Sequence, residues 1–190
     1  TPAENFLIGV GSASAIYSYN GINWSKSKSL SSLFTTIHKI AYNGTIWVAG
    51  GEGDNSLAYS SDGINWTPSS SAGNLFTEVN AIACNDFMWL AGGVGNVGVR
   101  VAYSYDGINW SGSESGTSLF TNISDFAWNG NLWVISCQLN TNQVGYSSDG
   151  INWNLSQEGI ECNECNKLSS NGAMFIVGSN NTGTYSNVLG

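Results

Sequence analysis

Four near-copies of one octet govern what this chain can fold into. "YSYNGINW" stands at 17–24, "YSSDGINW" at 59–66, "YSYDGINW" at 103–110 and "YSSDGINW" again at 146–153. The closing tryptophans Trp24, Trp66, Trp110 and Trp153 lie 42, 44 and 43 residues apart. A period of this length marks a repeat architecture, in which each unit buries its apolar surface against its neighbours. The repeat is wider than the octet. "FTTIHKIAYNGTIWVAGG" (34–51), "FTEVNAIACNDFMWLAGG" (76–93) and "FTNISDFAWNGNLWVISC" (120–137) align without gaps, and a diverged "CNECNKLSSNGAMFIVGS" occupies 162–179. The N-terminal "FLIGVGSASAIYSYNGINW" matches only the later part of the pattern. The 190 residues read as one domain of five units, near 6–33, 34–75, 76–119, 120–161 and 162–190, the first and last incomplete.

Each unit predicts four short strands. The first, like "TTIHKIAY", alternates apolar and polar residues. Asn-Gly follows at 43–44 and 129–130, a strong hairpin signal. The second strand, "TIWVAGG" or "FMWLAGG", is a continuous apolar run of the kind buried on both faces. The third is "LAYSS" or "VAYSY"; Asp-Gly then turns the chain, and "INW" opens the fourth. No window shows sustained helical spacing or a capped amphipathic run, so no helix is expected. Four strands in about 40–45 residues is the plan of a propeller blade. The expected fold is all-β: a β-propeller of four-stranded antiparallel blades, about five in number, with incomplete end blades and the ring closed on itself. A fragment of a larger six- or seven-bladed ring is the alternative. A four-bladed ring ranks last, because it leaves "FIVGSNNTGTYSN" without a place.

The octet reads as architecture. Asp or Asn before Gly hydrogen-bonds the turn backbone through its short side chain, and Ser two places earlier adds a second bond. The Trp fills the apolar space between sheets. These residues resemble the Asp-box, or bacterial neuraminidase repeat, whose usual form is Ser-x-Asp-x-Gly-x-Thr-Trp. Here the pattern is Ser-x-Asp-Gly-x-x-Trp, carried by Ser60, Asp62, Gly63 and Trp66, by Ser104, Asp106, Gly107 and Trp110, and by Ser147, Asp149, Gly150 and Trp153. Asn20 replaces Asp in the first copy. The turn is one residue shorter than the family's. The resemblance implies a peripheral hairpin between the third and fourth strands of each blade, structural and remote from any catalytic centre.

Sialidases are the enzymes that this resemblance brings to mind, and their site resembles three arginines gripping a carboxylate beside a Tyr/Glu pair and an acid Asp. Arg100 is the one arginine of this chain, so that triad cannot be assembled. Glycosidases in general need two carboxylates flanking one bond. Glu52, Asp54, Glu78, Asp125 and Glu164 recur at no shared loop position, and His38, the single histidine, reads as a structural polar residue on a strand. No enzymatic activity, cofactor or metal is therefore expected. The expected function is a non-enzymatic binding module, lectin-like, with carbohydrate hydroxyls meeting Asp54, Asn55, Asn96, Asn140, Asn142, Asn180 and Asn181 in loops that share one face. Repeated weak sites would add by avidity. A scaffold role in a virion or extracellular assembly is the alternative, a glycosidase-related enzyme the third reading.

Charged residues make up only 9% of the chain and the net charge is −8, which argues against nucleic acid or anionic membrane as partner. No apolar run approaches the roughly 18 residues of a spanning helix. Neither a signal peptide nor an initiator Met is visible, which reads as a processed or trimmed chain or a fragment. Acceptor sequons at Asn23, Asn43, Asn65, Asn109, Asn122, Asn154 and Asn180 point to an extracellular or virion-surface location. "ECNEC" has no second C-x-x-C to complete a metal site. Cys84 and Cys165 fall in apolar columns of the repeat and read as small buried hydrophobes. Cys137 and Cys162 end and begin strands on the same face, and a Cys137–Cys162 disulfide is expected. The unfinished end blades expose strand edges, so a partner in an assembly, self-association included, is expected at the termini.

Overall fold

The computed structural model describes residues 7–11, 14–96, 98–138, 144–156 and 165–179. It is all-β apart from short connector helices. The elements follow the repeat. Unit I holds β1 (Leu7–Gly11), β2 (Ser14–Ser18) and β3 (Ser25–Lys26). Unit II holds β4 (Thr36–Tyr42), β5 (Trp47–Glu52), β6 (Leu57–Ser60) and β7 (Thr67–Pro68). Unit III holds β8 (Phe76–Cys84), β9 (Trp89–Gly95), β10 (Val101–Ser104) and β11 (Ser111–Gly112). Unit IV holds β12 (Ile123–Trp128), β13 (Trp133–Cys137), β14 (Val144–Ser147) and β15 (Asn154–Leu155). Of unit V, β16 (Cys165–Ser170) and β17 (Phe175–Ser179) are described.

Each unit is an antiparallel meander, with consecutive strands paired. A single extra pairing, Glu52 with Glu78, joins units II and III into one curled sheet. The first strands β4, β8, β12 and β16 follow one another in contact and form the inner wall. Ile64, Asn65 and Trp66 still belong to the turn; the fourth strand starts only at Thr67 and is two residues long.

Helix does occur, contrary to expectation. α1 (Lys28–Leu33) and α2 (Glu114–Leu119) lie in the connectors after units I and IV's predecessor, and a 3-10 turn (Ala72–Asn74) takes the same place after unit II. Six residues are too few to show a helical period in sequence. α2 is held locally by a cap, the Ser113 hydroxyl accepting from the Gly116 N–H.

The core consists of layers between units. The leading face of unit II, with Val48 and Leu57, packs on the trailing face of unit III, with Val79, Ile82, Ala91, Ala102 and Trp110. The same columns recur one unit earlier around Ala15, Ala49, Ala58 and Trp66, and one unit later around Leu90, Val101, Ile135 and Trp153. Trp66, Trp110 and Trp153 therefore each belong to the layer shared with the preceding unit.

The octets form a repeated hydrogen-bonded turn. Ser60 Oγ accepts from the Asp62 and Gly63 N–H groups and donates to Asp62 Oδ1. Asp62 Oδ1 accepts from the N–H groups of Ile64 (2.8 Å) and Asn65 (2.7 Å), and Asp62 Oδ2 accepts from the Asn65 amide. Ser104/Asp106 and Ser147/Asp149 repeat this set bond for bond. The Gly in each turn has φ near +73°, a region open to glycine. Burial works against ionisation of Asp62, but the Asn65 backbone and side-chain groups, the Ile64 N–H and the Ser60 hydroxyl outweigh it and hold the pKa down to about 2. Asp106 and Asp149 are lowered equally.

A serine from the preceding connector latches the octet turns of units II, III and IV. Ser29 Oγ accepts from Trp66 N (2.9 Å) and donates to the Ile64 carbonyl (2.9 Å). Ser71 does the same at Trp110 and Ile108, and Ser115 at Trp153 and Ile151.

Cys137 is a buried free thiol, its pKa pushed up by burial to about 12. The expected Cys137–Cys162 bridge is therefore not formed; Cys162 lies outside the described residues. Cys137 is enclosed in the layer between units III and IV, so its side chain points into apolar packing instead of across the face. Cys165 is disulfide-bonded, which corrects its reading as a plain buried hydrophobe. Cys84 is a free, half-buried thiol.

Candidate functional site

The inner strands are not regular at their starts. In β4, Ile37 faces Gly51 and Lys39 faces Gly50, so His38 is the extra residue of a β-bulge. In β8, Val79 faces Gly93 and Ala81 faces Gly92, which leaves Asn80 bulged. Ser124 is bulged between Ile123 and Asp125, and Asn166 between Cys165 and Lys167. A bulge bends its strand and re-aims a side chain. Here it does so at the same repeat position in four successive units. In units II and III glycine on the partner strand makes room for it: a Cβ at Gly51 would lie 2.0 Å from the Thr36 carbonyl, and one at Gly93 would lie 2.0 Å from that of Glu78.

His38, Asn80, Ser124 and Asn166 all line one open depression of about 630 Å³, together with Glu78, Asn122, Gln138 and Lys167. The Gln138 amide donates to Asn166 Oδ1, linking units IV and V across the wall. The Ser124 hydroxyl is buried and has no hydrogen-bond partner among the described residues. Asn122 holds φ +49°, the one positive value outside glycine among the described residues, a conformation that asparagine tolerates better than most.

Two carboxylates meet at the rim. Glu52 ends β5 and Glu78 lies near the start of β8, and the bridge between units sets them opposite each other. His38 Nε2 lies 3.4 Å from Glu78 Oε1. One ligand atom from each of His38, Glu52 and Glu78 lies within 4.8 Å of the others. That spacing suits either two carboxyl groups acting on one bond or the chelation of a divalent cation. One residue beyond the bulges, Lys39 Nζ of unit II reaches Asp125 Oδ1 of unit IV at 3.1 Å. Asp125 is buried, accepts the Leu168 N–H at 3.3 Å and has Lys167 Nζ at 3.9 Å. This ion pair ties three units together beside the depression.

The site lies at the end of the inner strands where the expected loops gather, but it uses other residues. Asn55 and Asn96 donate their amides to the Leu33 and Gly73 carbonyls, fastening loops to connectors. Asp54 is exposed. Asn140, Asn142, Asn180 and Asn181 lie outside the described residues. The sequon asparagines Asn65 and Asn109 donate to Asp62 and Asp106, Asn43 caps its own hairpin, and Asn122 stands in the depression. Among the described residues, no helix is long and apolar enough to cross a membrane.

Sequence reasoning passed over His38, Glu52 and Glu78 as functional residues. Glu52 and Glu78 occupy different columns of the repeat, so no periodic signal pairs them. The column His38, Asn80, Ser124, Asn166 was the available signal: polar in every unit, directly after the buried Ile37, Val79, Ile123 and Cys165.

No protein-family model matches the chain, and no curated protein does. Among solved structures it is similar to an ancestral GH74 enzyme, at 18% identity and a TM-score of 0.59, over 80% of this chain and 22% of that one. It is also similar to the GH74 enzyme of Niastella koreensis, at 15% identity and a TM-score of 0.53, over 81% of this chain and 24% of that one. The chain thus spans less than a quarter of either neighbour. The likeness shows a β-propeller-like, all-β fold. The expectation of a non-enzymatic lectin-like module is corrected at this point. Two structures that share its fold are GH74 enzymes, and the amides of Asn55 and Asn96, both assigned to glycan binding, donate to backbone carbonyls.

Proposed function

We propose that this chain is part of a glycan-hydrolysing propeller, with the inner-strand depression as its sugar-binding site and Glu52 and Glu78 as its working carboxylates. One observation carries the reading: four successive bulges aim His38, Asn80, Ser124 and Asn166 into one depression whose rim holds a close carboxylate pair. Neutral donors and acceptors of this kind match sugar hydroxyls, and the buried, unpartnered Ser124 hydroxyl is a group that a ligand would satisfy. The GH74 neighbours give the same chemistry to the fold. Carboxyl groups about 5 Å apart act as acid and nucleophile in retaining hydrolysis, whereas inverting enzymes need a wider gap for water. We assign Glu78, whose Oε1 lies 3.4 Å from His38 Nε2, as the nucleophile and Glu52 as the acid. The disulfide at Cys165 fits an oxidising, extracellular setting.

Reducing-end release from a panel of soluble β- and α-glucans and aryl glycosides tests this. Glu52→Gln and Glu78→Gln should each lower kcat by about 10²–10⁴-fold, and Asn80→Ala should chiefly raise KM. No hydrolysis of any substrate, or full activity in both Gln variants, would overturn the reading. Activity abolished by a chelator and restored by a divalent cation would instead assign the His38–Glu52–Glu78 trio to metal binding.

A further inference from the structure

The two ends of the unit array carry the two halves of one interface. Between units II and III, and again between III and IV, a leading face meets a trailing face through fixed repeat columns. The leading face contributes Ile46 and Val48 in unit II and Met88 and Leu90 in unit III. The trailing face contributes the octet Trp, Trp110 or Trp153, joined in unit IV by Ile151. Ile46 lies against Gly107, and Met88 and Leu90 lie against Gly150, so the octet turn is the surface on which the leading side chains rest.

Unit V repeats the leading columns as Met174 and Ile176, and unit I repeats the trailing ones as Ile22 and Trp24. Among the described residues nothing covers them here. Ile176 is 63% exposed where Val48 and Leu90 are fully buried, and Trp24 is 43% exposed where Trp153 is 4% exposed. Ile22 is 81% exposed and Ile16, at the position of Ala58 and Ala102, is also exposed. The serine latch is missing as well: no described serine reaches Trp24 N or the Ile22 carbonyl, although all three later octets have one. Within its own turn, Ser18 Oγ and Asn20 Oδ1 hold the same bonds as Ser60 Oγ and Asp62 Oδ1. What Trp24 lacks is the neighbour.

We propose that a second copy of this chain covers each end, with Met174 and Ile176 of one copy seated on the Ile22–Trp24 turn of the next. The surface continues an interface seen twice among the described residues, and both complementary halves are present on the one sequence. Such a head-to-tail contact is heterologous, so it propagates into a ring or a filament instead of stopping at a symmetric dimer.

Complementation tests it. Ile22→Asp destroys only the trailing end and Ile176→Asp only the leading end; both positions are exposed in the single chain, so circular dichroism and melting should match the wild type at dilution. By native mass spectrometry and sedimentation velocity, the wild-type chain should assemble progressively with concentration. Each variant alone should remain a monomer, and an equimolar mixture should give a 1:1 heterodimer and nothing larger. Should Ile22→Asp fail to fold, Trp24→Ala replaces it in the same mixture. A wild-type chain that stays monomeric at every concentration, whether its ends stay open or close on each other, overturns the proposal. So does assembly that survives both substitutions in one chain.

Discussion

Trp24 and Trp153 sit in nearly the same eight residues, yet replacing them should cost very different amounts. Trp153 is buried against Phe120 and Phe126, with ring centroids at 6.1 and 6.0 Å, and its indole N–H donates to the Gly150 carbonyl at 3.1 Å. Trp153→Ala removes the transfer free energy of the ring and leaves a cavity between units III and IV, together about 3–5 kcal/mol. Trp24 makes the equivalent indole bond to Gly21, at 3.2 Å, but close to half of it is already in water and no facing unit encloses it. Its replacement forfeits only part of the transfer term and opens no cavity, about 1–2 kcal/mol. For a domain of this size each kcal/mol moves Tm by about 2–4 °C. Trp153→Ala should therefore lower Tm by about 6–20 °C and Trp24→Ala by about 2–8 °C, read by far-UV circular dichroism at dilution. Equal shifts would show that the octet stabilises only its own turn, and would refute the account of the tryptophan as a layer between units.

Three further outcomes follow from particular contacts. Asp62, Asp106 and Asp149 have folded pKa values lowered to about 2, so the stability they contribute is complete above the unfolded value near 4 and is lost as pH falls from there towards 2. An acid titration of Tm should show this loss, and Asp106→Asn together with Asp149→Asn should flatten it. Gly93→Ala forces a methyl group onto the Glu78 carbonyl and should cost at least about 1–3 kcal/mol, measured by urea unfolding, whereas Gly130→Ala meets no atom and pays only for its positive φ. Lys39→Ala leaves the buried Asp125 without its nearest cation and should cost about 3 kcal/mol, with Asp125→Asn recovering part of it in the double variant.

The sequence by itself determined the repeat, and the repeat determined most of the fold. Strand alternation, the Asn-Gly and Asp-Gly turns and the recurring Trp are local requirements, satisfied within a few residues, so they leave a periodic trace. The hydrogen bonds of Ser60 and Asp62 to the turn backbone were legible for that reason. The depression was not, because it depends on what the units differ in. His38, Asn80, Ser124 and Asn166 share a column that is polar in every unit, but only the bulge shows that the column points inward. Glu52 and Glu78 lie 26 residues apart in different columns and meet solely through the bridge between two units. Lys39 finds Asp125 two units away. Burial was decided in the same way: Trp24 and Trp153 carry the same local code, and the tertiary structure alone settles which of them has a neighbour, because burial is a property of the surface that faces a residue and not of the residue itself.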